Sequence, residues 1–396
     1  MDGTFRDPWV LDGAIRDVLS FWYPESIDHR HGGYVLQRDE VDGHVYDGAA
    51  RHLVGTCRAV FNFSVGALRG GPDWCREAAG HGLRFLLGAH RDHERGGFDW
   101  LLEGREPVDR TRRCYGHAFA LLAVSTAARA GVAGAAGEIP RIYDLMEERF
   151  FEPEHSLYRI ELDADWEPVS EYRGQNDNMH ACEAALAAHR ATGEDRYLDR
   201  AHAVAEALVR ERAEGDGGLL WEHYTVDWEV DVAYNRDQPE HRFRPWGYQP
   251  GHLAEWAKLL ARLARHRDDD WIEDRAVALF GNAVELGWDD DHGGMVYTVD
   301  REGEPIVEDK FAWPVTEAIG AAARLADLTG EERYWEWYDR LWAYAREHLI
   351  NPKYGTWYRR LTPEGERIER EASPTVEPWY HPVSNAYEAI EVLEGE

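Results

Sequence analysis

The chain has 396 residues, of which 44% are hydrophobic and 12% aromatic, so it can bury a large core. The formal net charge of −31 arises from 75 acidic and 44 basic residues, and a surface this negative repels phosphate backbones and anionic headgroups. Nucleic acid and membrane surfaces are therefore not expected partners. No stretch approaches about 18 uncharged apolar residues and no signal-like segment opens the chain, so we expect a cytoplasmic protein.

Lysine and cysteine usage narrows the class of protein further. The four cysteines form no CxxC pair, which indicates reduced thiols and neither a disulfide framework nor a metal site. Only three residues are lysines: Lys258, Lys310 and Lys353. An acidic, lysine-poor surface suits a salt-loaded cytoplasm, where screening hides self-repulsion, and so predicts a halophilic source. A GC-rich genome that prefers arginine codons would give the same lysine usage.

A short phrase recurs along the chain, and each copy is typical of a β-hairpin or an extended loop. Each copy combines small residues, an aromatic or leucine, a run with period two and a polar turn. The six copies lie at 29–43, 93–108, 154–169, 215–230, 291–314 and 353–368.

Helix-period segments fill the intervals between the copies, where apolar residues recur at spacings of three and four. They lie at 74–90, 116–130, 178–193, 196–212, 250–266, 275–288, 315–330 and 333–349. Six units of a hairpin and two helices make about twelve helices, which could stack as an open α-solenoid or close into a barrel. Because no polar capping repeat is present, we predict an all-α fold, a single (α/α)6-barrel catalytic domain over residues 1–396. The hairpins would gather at one end and rim a funnel for a ligand.

Polar side chains begin each predicted inner helix. They are Arg58; Tyr115 and His117; Asn176 and His180; His252 and Glu255; Trp313 and Glu317; and Trp379 and His381. His117 could equally be a packed core histidine, and tryptophans at helical spacing are more often core than ligand platforms. Imidazoles, a carboxylate, an arginine, amides and indoles suit a neutral polyhydroxy ligand. The histidines indicate proton transfer, since an imidazole can be acid or base near neutral pH.

Four phrases in these regions resemble the N-acylglucosamine 2-epimerase superfamily, and the likeness runs the full length of the chain. They are RGQNDNMHACEA at 173–184, QPGHLAEWAKLL at 249–260, KFAWPVTEA at 310–318 and WYHPVSNAYEAI at 379–390. The resemblance implies an (α/α)6 barrel that needs no cofactor. It implies His381 as the base at C2 of a sugar and His252 as the second acid or base, aided by Glu255. It further implies Arg58, Tyr115, Asn176 and His180 as ligands of hydroxyls, with Lys310, Trp313 and Glu317 lining the pocket. Trp379 is predicted to bind substrate because it stands beside polar groups, and here the chain departs from some relatives, since Trp379 and Tyr380 immediately precede the histidine.

The expected reaction is aldose–ketose isomerisation of a monosaccharide, such as mannose to fructose, through a cis-enediol or enediolate. A sugar 2-epimerase acting on mannose, an N-acylglucosamine or cellobiose would use the same intermediate. The same residues are compatible with a glycoside hydrolase whose carboxylate pair is drawn from Asp177, Glu255 and Glu317, with a metal-dependent aldose isomerase, and with a sugar-binding protein without activity. The aromatic-rich segment 333–349 is compatible with core packing or with a homo-oligomer interface.

Overall fold

The computed structural model describes residues 4–40, 42–213, 218–241, 243–368 and 377–395. Twelve α-helices lie in this part of the chain, as the repeat count predicts. Their bounds are α1 Pro8–Trp22, α2 Leu53–Leu68, α3 Asp73–Phe85, α4 Cys114–Arg129, α5 Glu138–Arg149, α6 Gln175–Thr192, α7 Asp195–Ala205, α8 Pro250–Ala264, α9 Asp270–Gly287, α10 Ala312–Thr329, α11 Glu332–Tyr344 and α12 Tyr380–Glu394. Single π-helical turns follow α3, α7 and α11, at Leu86–His90, Glu206–Arg210 and Ala345–Leu349.

The strands are two to four residues long. Their bounds are β1 Gln37–Arg38, β2 Val45–Asp47, β3 Ala50–His52, β4 Leu101–Glu103, β5 Glu106–Asp109, β6 Arg112–Arg113, β7 Phe151–Glu152, β8 Leu157–Tyr158, β9 Glu161–Leu162, β10 Arg173–Gly174, β11 His223–Tyr224, β12 Thr298–Val299, β13 Pro305–Val307, β14 Lys310–Phe311 and β15 Arg360–Leu361. Antiparallel hairpins form at three of the repeated phrases, where β1 pairs with β2, β4 with β5 and β12 with β13. No helix of the described residues is long and apolar enough to cross a bilayer.

The chain divides into two compact units. Unit 1 comprises the described parts of Met1–Ile15, Ala205–Glu369 and His381–Glu396, and unit 2 those of Arg16–Val204 and Arg370–Tyr380. The single catalytic domain predicted from the sequence stays a prediction.

Within each unit the helices alternate between buried and half-buried. In unit 2, α2 packs against α4 and α4 against α6, and nearly every residue along these three helices is buried. In unit 1, α8 packs against α10 and both are buried almost throughout, whereas α9 and α11 bury one face only. A helix that is buried on all sides belongs to the core of a fold, and an amphipathic helix covers it. The inner helices are therefore α2, α4 and α6 in unit 2 and α8 and α10 in unit 1.

An ion pair anchors the loop that precedes several of the inner helices. The four pairs are Asp28 with Arg51 at 2.5 Å, Asp92 with Arg112 at 2.6 Å, Glu152 with Arg173 at 2.6 Å and Asp289 with Lys310 at 2.7 Å. In each pair the basic residue stands two positions before the first residue of an inner helix, namely α2, α4, α6 or α10. Lys310 was expected to line the pocket, but its side chain is instead fully buried on Asp289. These pairs fix where each inner helix begins.

Candidate active site

Unit 1 contains a histidine–carboxylate pair at the start of α8. Pro250 occupies the first turn of this helix, where its missing N–H costs nothing, and His252 follows two residues later. Nδ1 of His252 lies 3.0 Å and 2.9 Å from the two carboxylate oxygens of Glu222. Because an ionised carboxylate only accepts hydrogen bonds, Nδ1 carries a proton and donates it to Glu222. Both side chains are buried.

A second histidine–carboxylate pair forms at the start of α12. His381 is the second residue of this helix, and its Nδ1 lies 2.7 Å from Oε1 of Glu317 on α10. Asn385, one turn further along α12, donates to the same oxygen at 2.7 Å and to the carbonyl of His381 at 2.9 Å. The imidazole is therefore held through its side chain and through its backbone.

Lys258 of α8 completes this network from the opposite side. Its ammonium donates to Oε2 of Glu317 and, at 3.1 Å, to Oδ1 of Asn385. Glu317 is completely buried and Lys258 nearly so. Burial alone would raise the pKa of Glu317, but Lys258 and His381 outweigh it and lower that pKa to about 2. Glu317 is therefore ionised throughout the neutral range.

The indole of Trp313 lies between the two imidazoles. Its ring centroid is 5.0 Å from that of His252 and 5.8 Å from that of His381, with the rings tilted by 41° and 40°. A side chain at Gly251 would meet the indole at 2.5 Å, so glycine is required for this approach. Trp313 is partly exposed, whereas the imidazoles keep only 7% and 6% of their surface accessible. The indole and the two imidazoles therefore lie next to one another.

Glu255 lies one turn along α8 from His252 and is buried. One possible metal-ligand atom from each of Glu255, Glu317 and His381 lies within 4.8 Å of the other two, which is close enough for the three to hold a metal ion. The ammonium of Lys258 already binds Glu317, and it would repel a second cation at this position. We therefore assign none of the three as a metal ligand.

Unit 2 places several of the predicted sugar-binding residues around Arg58. The Arg58 guanidinium donates to Glu377 at 2.9 Å and to the hydroxyl of Tyr115 at 3.0 Å. It also stacks over the rings of Phe119 and Tyr380, at 4.5 Å and 5.0 Å from their centroids. Such an arginine is rigid and planar, which suits forked hydrogen bonding to oxygen atoms.

His180 belongs to the same cluster. Its Nδ1 lies 3.0 Å from Oε2 of Glu183, whose other oxygen accepts from the hydroxyl of Tyr380 at 2.5 Å. The rings of His180 and Tyr115 meet edge to face at 5.0 Å. The structure therefore brings Arg58, Tyr115 and His180 together within unit 2.

Asn176 and Trp379 are also in unit 2, in different settings. Asn176 is half-buried, and its Oδ1 has no hydrogen-bond partner among the described residues. Trp379 is only 2% exposed and has a φ of +61°, a left-handed conformation that costs a bulky residue about 1–3 kcal/mol. Neighbouring contacts hold the strained segment, since Asn62 donates to the carbonyl of Pro378 at 2.7 Å and Tyr380 N–H to Glu377 at 2.9 Å.

His117, which the sequence leaves open, is a core histidine. Its Nε2 accepts from the backbone N–H of Phe98 at 3.2 Å, and its Nδ1 donates to the carbonyl of Arg113 at 2.8 Å. Both ring nitrogens are thus used by the backbone. Burial lowers the pKa of His117 to about 4, so the ring is neutral at physiological pH.

Sequence reasoning missed the partners of the histidines: Glu222, Glu183, Lys258 and Asn385. Two of them had a local signal, because Glu183 follows His180 by three residues and Asn385 follows His381 by four, which places each pair on one helix face. Lys258 also had a signal, as the only lysine of the segment AEWAKLLARLA, in which seven of the other residues are alanine or leucine. Glu222 had none, since it precedes His252 by 30 residues.

The twelve helices and the two histidine–carboxylate pairs are features of an all-helical enzyme, and sequence comparison identifies its family. The family model of N-acylglucosamine 2-epimerase (GlcNAc 2-epimerase) matches residues 32–385, and the chain belongs to this family. A D-mannose isomerase of Marinomonas mediterranea is 39% identical over 391 residues, which are 98% of this chain and 98% of that protein. A D-mannose isomerase of Thermobifida fusca is 40% identical over 357 residues, covering 89% of this chain and 86% of the relative.

A solved structure gives the same result for the fold. The crystal structure of a D-mannose isomerase matches this chain with a TM-score of 0.95 and 38% identity, over 100% of both chains. A solved cellobiose 2-epimerase from Bacillus thermoamylovorans shares the fold at a TM-score of 0.84 and 21% identity, over 96% of this chain and 99% of that one. The predicted (α/α)6 class is confirmed.

Proposed function

We propose that this protein is an aldose–ketose isomerase that converts D-mannose to D-fructose by proton transfer between side chains and sugar, without a cofactor. The observation that carries the proposal is the pair of imidazoles in contact with Trp313, each held at Nδ1 by a buried carboxylate. Because Nδ1 is held in this way, we assign proton transfer with the sugar to Nε2. The family membership and the names of the two relatives support the choice of reaction and of sugar.

The first step is opening of the pyranose ring. The protonated imidazole of His252 donates a proton from Nε2 to the ring oxygen, the anomeric hydroxyl gives its proton to Glu255, and the bond from C1 to the ring oxygen breaks to give the open-chain aldose. Return of the proton from Glu255 to His252 restores both groups. The two oxygens of Glu222 stabilise the protonated imidazole before the transfer. Glu255, three residues from His252 on the same helix face, assists in the proton movements at this end of the sugar.

The second step is transfer of the C2 proton. Nε2 of His381 accepts it, and the electron pair of the C–H bond forms the C1–C2 double bond of an enediolate. Glu317 stabilises the imidazolium that results, through the 2.7 Å hydrogen bond to Nδ1. The hydroxyl proton at O2 passes to O1 of the enediolate. When His381 returns its proton to C1, O2 becomes a carbonyl and the product is the 2-ketose. No atom is gained or lost, and each catalyst ends in its starting state.

Trp313 supplies the surface against which the sugar packs. The C–H face of a pyranose packs on an indole, and this indole lies between the two imidazoles that move protons. Arg58, Tyr115, Asn176 and His180 remain the proposed ligands of sugar hydroxyls, with Trp379 as a lining residue. Their proposed role is in binding, so their substitution should raise KM more than it lowers kcat.

A 2-epimerase is the second candidate, and the two imidazoles favour it as well. If one imidazole removed the C2 proton and the other returned it to the opposite face of C2, the same enediolate would give the epimer. A glycoside hydrolase is disfavoured because it needs a carboxylic acid that stays protonated near neutral pH. Glu317 is held ionised by Lys258 and His381, so of the three candidate carboxylates only Asp177 or Glu255 could supply that proton.

The deciding experiment is incubation of the purified protein with D-mannose in heavy water, followed by chromatography and NMR of the products. The proposal expects fructose that carries deuterium at C1 wherever the transferred proton has exchanged with solvent. Glucose as the main product would establish the epimerase instead. Unchanged mannose, in low and in high salt, would contradict both.

We also propose that the protein works in the salt-loaded cytoplasm of a halophile, which its net charge of −31 supports. Activity and the melting temperature should then both rise between low salt and molar KCl. A melting temperature that is highest without salt would contradict this setting.

Sedimentation in the same buffers tests the predicted homo-oligomer, and addition of DNA tests the expectation that nucleic acid does not bind.

A further inference from the structure

We infer that Lys258 is a positioning residue that keeps His381 in its proton-accepting form by balancing the charge of Glu317. The inference rests on the proposed function, because it concerns the group that accepts the C2 proton. Lys258 does not act on the sugar itself, because it contacts Glu317 and Asn385, which in turn contact His381.

The first argument is geometric. Oε1 of Glu317 accepts hydrogen bonds from His381 and Asn385, and Oε2 accepts from Lys258. Asn385 joins the two ends, because its Oδ1 accepts from Lys258 at 3.1 Å while its Nδ2 donates to Glu317. The network therefore links α8, α10 and α12, and a displaced Lys258 displaces both side chains that orient the imidazole.

The second argument concerns charge. A buried carboxylate on Nδ1 stabilises the imidazolium form, and an imidazolium cannot accept a proton from carbon. An ammonium on the other oxygen of the same carboxylate opposes that effect, and the interior enlarges both interactions. The charged or titratable groups that face His381 within unit 1 are Glu317 from α10 and Glu255 and Lys258 from α8. Lys258 is the cation among them.

The third argument concerns the choice of lysine over arginine. An ammonium can direct separate N–H donors at Glu317 and Asn385, whereas a guanidinium presents a planar fork that favours one carboxylate. Arginine holds a buried carboxylate elsewhere in this chain, as Arg324 does for Glu388. Lys258 thus balances the charge of Glu317 and also fixes the orientation of the Glu317 and Asn385 side chains.

A matched control lies one turn further along the same helix. Arg262 of α8 also places a cation near a buried carboxylate, at 3.3 Å from Glu388. It does not share Glu317 with His381. Removal of this cation perturbs α8 and its packing as Lys258→Met does, but leaves the hydrogen bonds of Glu317 to His381 in place.

The test compares wild type, Lys258→Met, Lys258→Arg and Arg262→Met in the conversion of mannose to fructose across pH. In Lys258→Met the acidic limb of the kcat/KM profile should move to higher pH by about one unit, because the imidazolium of His381 is no longer opposed. The value of kcat should fall by up to about 10²-fold with little change in KM. In Lys258→Arg the charge remains, so kcat should fall while the limb stays. Arg262→Met should leave the limb in place.

An acidic limb that stays in place in Lys258→Met, whatever the loss of kcat, would overturn the inference, as would an equal shift in Arg262→Met. If Lys258→Met does not fold, the double variant Lys258→Met with Glu317→Gln replaces it. There the limb should move to lower pH, since the imidazole loses its carboxylate, and an unmoved limb would count against the account. If wild type does not convert mannose, the proposed function fails by itself, and ¹⁵N NMR of His381 in the same variants still measures its protonation.

Discussion

The two histidine–carboxylate pairs of unit 1 look alike, yet their carboxylates are used differently. Glu222 gives both oxygens to the imidazole of His252, at 3.0 Å and 2.9 Å. Glu317 gives one oxygen to His381 at 2.7 Å and the other to the ammonium of Lys258. An undivided carboxylate favours the protonated imidazole, and a carboxylate shared with a cation orients the ring with a weaker preference for that form. This difference fits the proposed roles of His252 as the acid and His381 as the base.

Removal of either imidazole should have the largest effect. His381→Asn and His252→Asn should each lower kcat by about 10²–10⁴-fold, because each removes a positioned proton-transfer group. Steady-state kinetics with mannose, together with circular dichroism to check the fold, measure this. Wild-type turnover in either variant would remove that histidine from the mechanism.

Glu317→Gln should lower both activity and stability. It removes the carboxylate from His381 and leaves Lys258 buried without its counter-charge, so the free energy of unfolding should fall by about 3–5 kcal/mol and kcat by about 10²-fold. Urea unfolding and steady-state kinetics are the measurements. A variant as stable as wild type would show that the Lys258–Glu317 pair is not the buried interaction described above.

The pH dependence of this stability loss provides a second check. The pKa of Glu317 is about 2 in the folded chain against an ordinary 4.5, so its contribution is complete above pH 4.5 and is lost as the pH falls through 2. The loss is on the order of 3 kcal/mol. The stability difference between wild type and Glu317→Gln should therefore shrink across this window, and a constant difference would contradict the ionised state of Glu317.

Glu222→Gln should act mainly on the other limb of the pH profile. Without the carboxylate, the protonated form of His252 is less stable, so the basic limb of kcat/KM should move to lower pH by about one unit. Activity above that limb falls by about 10-fold as a consequence. A shift of the acidic limb instead would exchange the acid and base roles assigned here.

The smallest effect is expected from a change of shape without a change of charge. A Cβ at Gly320 would lie 2.0 Å from Oδ1 of Asn385, so Gly320→Ala should displace Asn385 and lower kcat by about 10-fold with the pH limbs unmoved. Gly281→Ala is the control, because nothing lies within 4 Å of that position on α9. It should raise stability by about 0.5–1 kcal/mol and leave kcat unchanged.

The sequence predicts the parts of this site that depend on local periodicity. The six phrases and the helical spacing predict twelve helices, and residues placed at the inner-helix starts include His180, His252 and His381. Glu183 and Asn385 were also within reach, at three and four residues from a histidine.

The remaining partners depend on tertiary packing. Lys258 and Glu317 are 59 residues apart, and His381 and Glu317 are 64 apart, so their contact follows from the arrangement of α8, α10 and α12. Spacing in sequence does not show which carboxylate meets which imidazole. It also does not distinguish His117, whose two ring nitrogens are bound by the backbone, from His252 and His381, whose Nδ1 is held by a buried carboxylate.

The most direct test of the central claim follows the hydrogen at C2 itself. Mannose deuterated at C2 is incubated with wild type, His381→Asn and His252→Asn, and both fructose formation and loss of the C2 deuteron are measured by NMR. If His381 is the base, His381→Asn loses deuteron removal and isomerisation together. His252→Asn lacks the group that opens the ring, so it slows both reactions of mannose. With an open-chain aldose, which needs no ring opening, the same variant retains a primary isotope effect. Deuteron removal by His381→Asn at the wild-type rate would contradict the account.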